Sequence, residues 1–246
     1  MRVKLAWSYL RKMAGSARIK RQINKLVKSA KSHKELQFSG MALEKLLTDF
    51  EFDTVLDVGS GAGTQAKRMR EYGKNVTCID YGGSVYFDQC QDQADQLIGD
   101  FVEHNFSEKF DCVWCSHVLE HQRNVGIFLD KINAVLKEGG VLAITVPPRK
   151  DQVVGGHVTI WNGGLLLYNL VLAGFDCSEA KVLTYGYNVS VILKKRSITL
   201  PGNLSSDRGD IRKLKQYFPK ELEFQSNELD DPFDGVIHQI GWITNS

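Results

Sequence analysis

Three histidines between residues 117 and 157 have the side-chain chemistry needed to move a proton. His117 and His121 flank the residues "VLE" in "SHVLEH", and His157 lies in "VVGGHVTIW". A positioned histidine that removes a proton from an alcohol contributes about 10²–10⁴-fold to the rate of a reaction at that oxygen. We therefore consider His157 and His121 the candidate catalytic residues. For His157, a histidine at the surface or at a helix start is the alternative.

The four-residue spacing of His117 and His121 would place them on one face of a helix, which also suits a metal. No partner motif of a carboxylate and a histidine accompanies them, so no metal site is predicted. The pair Cys112 and Cys115 in "CVWC" has metal-ligand spacing, but no second pair follows it. Residues three apart in a strand point to opposite faces, so these cysteines are predicted to be ordinary buried thiols.

A glycine loop between a strand and a helix predicts a ligand site earlier in the chain. The segment Thr54–Arg68 reads "TVLDVGSGAGTQAKR", with Asp57 ending the apolar run and Gly59, Gly61 and Gly63 following it. The glycines permit a tight turn and a close approach of the backbone to a ligand. The loop lacks the lysine of a P-loop, and its spacing differs from G-x-G-x-x-G. The carboxylate of Asp57 would repel a diphosphate and suits a ligand with an amino group.

Alternating strand and helix patterns must position these residues. Strands are predicted at "TVLDV", "NVTCID", "QLIGDF", "FDCVWCS" and "VLAITVPP", with helices at Thr64–Tyr72, Ser84–Asp92 and in "RNVGIFLDKINAVLK". Repeated βα units give a parallel sheet covered by helices on both faces, with ligands beyond the carboxyl ends of the strands. A further helix in "NGGLLLYNLVLAGF" ends at Gly174. The runs "KVLTYGY" and "VSVILKK" are too close for a crossover and predict an antiparallel hairpin.

Composition and charge divide the 246 residues into three segments. Residues 1–34 contain eleven Lys and Arg and no Asp or Glu, although the whole chain has a net charge of only +2. We expect a basic amphipathic helical arm at 1–39, a ligand-binding domain at 40–196 and a C-terminal extension, a possible substrate cover, at 197–246. Five cysteines without a disulfide framework indicate a reducing compartment, which predicts a cytoplasmic protein.

The motif "LDVGSGAG" and the acids at successive strand ends resemble the class I S-adenosylmethionine-dependent methyltransferases over residues 40 to 195. The resemblance implies an α/β, Rossmann-like, doubly wound and mostly parallel seven-stranded sheet with a terminal antiparallel hairpin. It implies S-adenosyl-L-methionine as the cofactor, with Asp80 accepting hydrogen bonds from the ribose and Tyr81 and Asp100 beside the adenine. It also implies that the loop after strand five, with His157, faces the acceptor. The implied cofactor residues are Asp57, Gly59, Ser60, Gly61, Gly63, Asp80, Tyr81, Asp100, Phe101, Ser116 and His117.

The expected function is methyl transfer from this cofactor to a small-molecule or surface-glycan acceptor, most simply at oxygen. The glycan is suggested by the similarity of residues 155–176 to methyltransferases encoded with enzymes of bacterial surface polysaccharides. The basic arm at 1–34 would then contact an anionic membrane surface on the inner face. Packing of the arm on the domain, RNA methylation with the arm on phosphates, and a non-catalytic binding protein are the alternatives.

Overall fold

Alternating strands and helices build the chain in a computed structural model that describes residues 38–89, 96–226 and 230–242. The elements in order are helix α1 (Gly40–Asp49), β1 (Thr54–Val58), α2 (Thr64–Glu71), β2 (Asn75–Asp80), β3 (Gln96–Ile98), β4 (Phe110–Ser116), α3 (Val125–Val135), β5 (Leu136–Val146), α4 (Gly163–Leu172), β6 (Lys181–Tyr185), β7 (Asn188–Lys194), α5 (Asp210–Leu214) and β8 (Gln239–Ile240). Single 3₁₀ turns occupy Phe87–Gln89, Leu119–His121 and Lys215–Tyr217. No helix in these ranges has the length and apolar character to cross a membrane.

The strands form one mixed sheet in the order β3-β2-β1-β4-β5-β7-β6-β8. The pairs from β3 to β5 are parallel, whereas β7 is antiparallel to both β5 and β6. The strand order switches between β1 and β4. Strands β2 and β3 are added on one side of β1, and β4 and the later strands are added on its other side. Ligands bind beyond the carboxyl ends of the strands at such a switch point.

Each face of the sheet is covered by helices and has its own core. On one face, Phe128 and Ile132 of α3 and Leu167 and Leu170 of α4 pack against the apolar residues of β4 and β5. On the other face, α1 and α2 cover a smaller core. Burial of about 25 cal/mol per Å² of apolar surface makes these two layers the main stabilising contribution. They fix the strand ends to which the candidate site residues are attached.

The predicted α/β architecture is confirmed, with three local differences. A two-residue strand, β8, pairs with β6 and makes the sheet eight-stranded. Strand β5 begins at Leu136, because the residues of "EGG" continue the strand across an irregular register instead of only ending the helix. The helix predicted at Ser84–Asp92 is wrong over its described part, which holds a single 3₁₀ turn at Phe87–Gln89. The hairpin is as predicted, with Tyr185 opposite Asn188.

The C-terminal segment packs against the sheet domain. Leu214, Phe218, Ile237 and Ile240 belong to the larger core. The amide of Gly164 donates to the carbonyl of Gly235 at 2.9 Å, which attaches the segment to the start of α4. The predicted basic arm at residues 1–34 lies outside the described residues.

Candidate functional site

The glycine loop between β1 and α2 is held in left-handed backbone conformations. Gly59, Gly61 and Gly63 have φ angles of 71°, 50° and 71°. Residues other than glycine adopt this region at a cost, so glycine is favoured at these three positions of the turn. The amide of Gly59 donates to the carbonyl of Ile79 at 2.8 Å, which fastens the loop to the neighbouring strand β2.

Asp80 ends β2 with its carboxylate facing this loop. Its Oδ2 accepts a hydrogen bond from the amide of Gly61 at 2.9 Å, and its Oδ1 accepts one from the amide of Gly82 at 3.0 Å. Each carboxylate oxygen can accept more than one hydrogen bond, so both retain acceptor capacity. The structure therefore brings Asp80 and the glycine loop together in an arrangement able to accept the hydroxyls of a ribose.

Asp57 has a buried carboxyl group, one oxygen of which lacks a hydrogen-bond partner among the described residues. It is 1% exposed, and its Oδ2 has no hydrogen-bond partner among the residues that the structure describes. Burial raises the pKa of Asp57 to about 7, and the negative charge of Asp80 adds to this rise while Arg70 opposes it. A buried polar atom without a partner is costly, so this oxygen marks a place where a positively charged group would be stabilising.

Tyr81 and Asp100 lie beside one another at the ends of β2 and β3. Tyr81 is 62% exposed, and partial burial and a hydrogen bond to Asp100 raise the pKa of its hydroxyl. The ring of Phe101, in contrast, is only 4% exposed and contacts Phe128 in the core, with 5.1 Å between the ring centroids. Any contribution of Phe101 to cofactor binding would have to come from its backbone, because its side chain completes the hydrophobic core.

Ser60, in the glycine loop, and Ser116, at the end of β4, are each held by a side-chain hydrogen bond. Ser60 Oγ donates to Gln96 Oε1 at 2.8 Å. Ser116 ends β4, and its Oγ lies 2.6 Å from the Oγ of the fully buried Ser39. Ser39 thus anchors the start of α1 to the end of β4.

His117 follows β4 in a strained conformation and is surrounded by side chains. Its φ angle is 57°, and its Nε2 lies 3.0 Å from Asn188 Oδ1. The ring packs against Phe38, with centroids 4.6 Å apart, and stacks on Tyr187 at 6.0 Å. A residue in this sparsely populated region persists only where its surroundings fix it, which is common at functional sites.

Glu120 is the residue of this site that the sequence analysis missed. It is 0% exposed, yet neither carboxylate oxygen has a hydrogen-bond partner within the described ranges. Its Oε1 lies 3.3 Å from His117 Nδ1 and 3.8 Å from His121 Nε2. The sequence did contain an indication of its role, because Glu120 lies between the two histidines of "SHVLEH". A 3₁₀ turn brings residues three apart, such as 117 and 120, close together.

The two candidate catalytic histidines are brought together. The rings of His121 and His157 are 5.0 Å apart between centroids and almost perpendicular. Burial lowers the pKa of His157, and Glu120 opposes this effect. The loop that carries His157 is attached to the turn after β4, because the amide of Val158 donates a hydrogen bond to the carbonyl of Glu120 at 2.8 Å.

A cavity of about 150 Å³ lies beside His157, beyond the carboxyl end of β5. Its lining includes Arg149, Lys150, His157 and Tyr187, and the Lys150 ammonium sits 4.2 Å from the centre of the Tyr187 ring. The cavity offers two cationic groups, one imidazole and the carboxylate of Asp151, which lies 3.7 Å from the Arg149 guanidinium. This lining suits a polar, hydroxyl-bearing acceptor.

The residues present fit S-adenosylmethionine. The unmatched Asp57 oxygen suits the ammonium of its methionine moiety, and Asp80 retains acceptor capacity for the ribose hydroxyls. The left-handed glycines allow the backbone to approach a ligand closely. A diphosphate would meet two carboxylates in the same place, which disfavours a dinucleotide.

Comparison with known proteins agrees with this fit. Residues 56–144 match the family described as "Methyltransferase domain". The chain is 35% identical over 104 residues to the ubiquinone biosynthesis O-methyltransferase of Paramagnetospirillum magneticum, covering 40% of this chain and 42% of that protein. It is 32% identical over 113 residues to the malonyl-[acyl-carrier protein] O-methyltransferase of Salmonella typhimurium, covering 44% and 45%. The chain thus spans less than half the length of these relatives.

Solved structures share the fold at low sequence identity. The 1,6-didemethyltoxoflavin-N1-methyltransferase of Burkholderia thailandensis superposes with a TM-score of 0.53 at 17% identity, covering 79% of this chain and 90% of that one. An S-adenosylmethionine-dependent methyltransferase of Clostridium acetobutylicum gives 0.50 at 13% identity, covering 64% and 90%. The matched segment and the glycine loop identify residues 56–144 as a methyltransferase domain of the class I S-adenosylmethionine-dependent type, for which S-adenosyl-L-methionine is the methyl donor.

Proposed function

We propose that this protein catalyses transfer of a methyl group from S-adenosylmethionine to a hydroxyl oxygen of a small-molecule acceptor. The observation that carries the proposal is the placement of the histidine pair. The rings of His121 and His157 are in contact, and His157 lines the cavity after β5. His117, one of the predicted cofactor residues, contacts Glu120 beside this pair. The two relatives named above are both O-methyltransferases by name, which supports oxygen as the acceptor atom.

The chain's own residues would bind and orient the two reactants and accept a proton. When bound, the cofactor supplies an activated methyl group on a sulfonium, so the protein mainly has to align acceptor oxygen, methyl carbon and sulfur. His157 would accept the proton of the acceptor hydroxyl as the oxygen–carbon bond forms and the carbon–sulfur bond breaks. Arg149 and Lys150 would hold an acceptor that carries negative charge.

The other parts of the functional hypothesis have less support. The relatives named above have small-molecule or carrier-protein acceptors by name, so they do not favour a surface glycan or a role in polysaccharide biosynthesis. Contact of residues 1–34 with an anionic membrane, and a cytoplasmic location, stay predictions from charge and cysteine content. RNA methylation and a non-catalytic binding role are the alternatives that an assay must separate.

The test has two stages. Calorimetry with S-adenosylhomocysteine on the full chain should show one site, whereas NAD and ATP should not bind. The protein is then incubated with S-adenosylmethionine labelled on its methyl carbon and with pools of phenols, vicinal diphenols, aliphatic alcohols and RNA. Label transfer to a hydroxylated small molecule supports the proposal. Absence of S-adenosylhomocysteine binding, or transfer only to RNA, would overturn it.

A further inference from the structure

The buried side chain of Glu120 would be stabilised by a cation. Its side chain is 1% exposed, and both oxygens are without a hydrogen-bond partner in the part of the chain that the structure describes. Removing an ionised carboxylate from water costs several kcal/mol unless a positive charge or hydrogen bonds compensate. No lysine or arginine ion pair reaches it among the described residues, and the neighbouring groups that could compensate are the nitrogens of His117 and His121.

The hydrogen bonds of Asn188 determine which nitrogen of His117 carries a proton. Asn188 Oδ1 accepts the amide of Ser39 at 3.1 Å, and the Nδ2 of Asn188 donates to the carbonyl of Tyr185 at 3.3 Å. The oxygen therefore faces His117, and His117 Nε2 must donate to it across 3.0 Å. A neutral His117 then directs the lone pair of Nδ1 at Glu120 Oε1, 3.3 Å away. Two acceptors face each other unless a proton or a metal ion lies nearby.

His121 is oriented as metal-binding histidines usually are. Its Nδ1 lies 2.8 Å from the carbonyl oxygen of Gly156, so Nδ1 carries the proton and donates it. Nε2 is then the unprotonated nitrogen, and it lies 3.8 Å from Glu120 Oε1. Metal-ligating histidines donate their second ring N–H to a carbonyl or carboxylate in this way, which fixes the tautomer and the ring orientation.

His157 completes a three-ligand set. One potential ligand atom from each of Glu120, His121 and His157 lies within 4.8 Å of the other two. Bonds of about 2.0–2.2 Å to a metal place two ligand atoms at most about 4.4 Å apart, so small side-chain rotations suffice. Two imidazoles and one carboxylate suit zinc, iron, cobalt or manganese, and they leave coordination positions open. His157 also lines the acceptor cavity, so an open position would face a bound molecule.

We propose that Glu120, His121 and His157 bind a divalent first-row transition metal ion beside the acceptor cavity. Its catalytic role rests on the proposed function, although metal binding itself does not. A metal ion lowers the pKa of a coordinated water or hydroxyl, so the acceptor hydroxyl would bind the ion and release its proton to solvent. The resulting oxyanion would then form a bond to the methyl carbon while the carbon–sulfur bond breaks and S-adenosylhomocysteine leaves. In this arrangement His157 acts as a ligand and no longer as the base.

The test measures metal binding without turnover. The full chain is stripped with a chelator and titrated with Zn²⁺ by calorimetry and with Co²⁺ by absorption spectroscopy. We expect one site per chain, with the d–d bands of a nitrogen- and oxygen-ligated Co²⁺. Glu120→Gln and His157→Ala should each weaken Zn²⁺ binding by more than about 10-fold, a loss that even an outer-shell partner can cause. The control His238→Ala alters an exposed histidine of the C-terminal segment and should leave the affinity unchanged.

Binding of S-adenosylhomocysteine to each variant separates the possible failures. It reports the fold of the variants, and it tests the proposed function independently of the metal. If Glu120→Gln fails to fold, His157→Ala still decides the question, because His157 is only partly buried. Zn²⁺ binding that neither variant weakens would overturn the proposal. So would the absence of Zn²⁺ and Co²⁺ binding by wild-type protein that still binds S-adenosylhomocysteine.

Discussion

The amide of Gly61 donates to Asp80 Oδ2 at 2.9 Å, so the glycine loop after β1 is tied to the acid that ends β2. The second oxygen of Asp80 holds the amide of Gly82 at 3.0 Å. One carboxylate thereby fixes the backbone on both sides of the predicted ribose position. Its charge strengthens both hydrogen bonds, since those to ionised groups contribute about 1.5–3 kcal/mol each.

Asp80→Asn should weaken binding of S-adenosylhomocysteine by about 10- to 100-fold. Asparagine keeps the shape but loses the charge and one acceptor, which corresponds to roughly one charged hydrogen bond. Calorimetry at pH 7.5 measures the change. Asp88→Asn is the control, because Asp88 is exposed on the neighbouring 3₁₀ turn. Equal affinities for wild type and Asp80→Asn would contradict the assigned role.

Asp57 should make the unliganded protein less stable as the pH rises. Burial raises the pKa of Asp57 from 3.8 to about 7, so between these values the folded state holds a proton that the unfolded state has released. The unfolding free energy therefore falls with rising pH across this window, by up to about 4 kcal/mol. Urea unfolding of wild type and Asp57→Asn at pH 5 and pH 8 should show about 3 kcal/mol of this decrease, in the wild type alone.

The same variant tests the contact with the cofactor. A bound ammonium would favour the ionised carboxylate of Asp57, so Asp57→Asn should be more stable than wild type at pH 8 and yet bind S-adenosylhomocysteine at least about 10-fold more weakly. Asp53→Asn, an exposed acid just before β1, should change neither property. Unaltered binding by Asp57→Asn would leave Asp57 as a structural residue only.

Gly59 is required by its conformation and by a neighbouring side chain. A Cβ on Gly59 would lie 2.3 Å from Val118 Cγ2, at a φ angle of 71°. Gly59→Ala should lower the unfolding free energy by about 2–5 kcal/mol, from left-handed strain and overpacking together. Gly73→Ala shares the positive φ but meets nothing within 4 Å, so about 1–2 kcal/mol is expected there. Thermal denaturation compares the two, and adding Val118→Ala should restore part of the loss in Gly59→Ala alone.

Lys195 stabilises the junction of α3 and β5 from a buried position. It is 5% exposed, and its Nζ donates to the carbonyls of Asn133 at 2.6 Å and Leu136 at 3.0 Å. Lys195→Met should leave both carbonyls without this donor and lower the unfolding free energy by about 1–3 kcal/mol in urea titrations. Lys194→Met, at the exposed adjacent position, should have little effect. A loss of equal size in both variants would argue for a general charge effect.

Features that depend on local sequence patterns could be predicted from the sequence alone. Asp57 and Asp80 could be placed at strand ends because apolar runs precede them and glycines or helix patterns follow. Glu120 was not predicted as a site residue, because its burial depends on the contact between the turn after β4 and the loop that contains Val158. The partner of His117 is Asn188, 71 positions away in the chain, and no spacing rule connects them. Phe101 was predicted to contact the cofactor, but α3 offers its ring a larger apolar contact in the core.

Gly156 should position His121 through its carbonyl group. It has a φ angle of 80°, and a Cβ there would lie 3.1 Å from His121 Nδ1, which already contacts the Gly156 oxygen at 2.8 Å. Gly156→Ala should displace this carbonyl, release the His121 ring, and weaken Zn²⁺ binding by about 10- to 100-fold, as loss of an outer-shell partner does. Gly155→Ala is a matched control, since a methyl group at that position would meet nothing within 4 Å. Both variants should bind S-adenosylhomocysteine like the wild type. A loss of metal affinity in Gly156→Ala alone would then identify the orientation of His121 as its cause. Equal metal affinity in the two variants would show that this hydrogen bond does not set the ligand geometry.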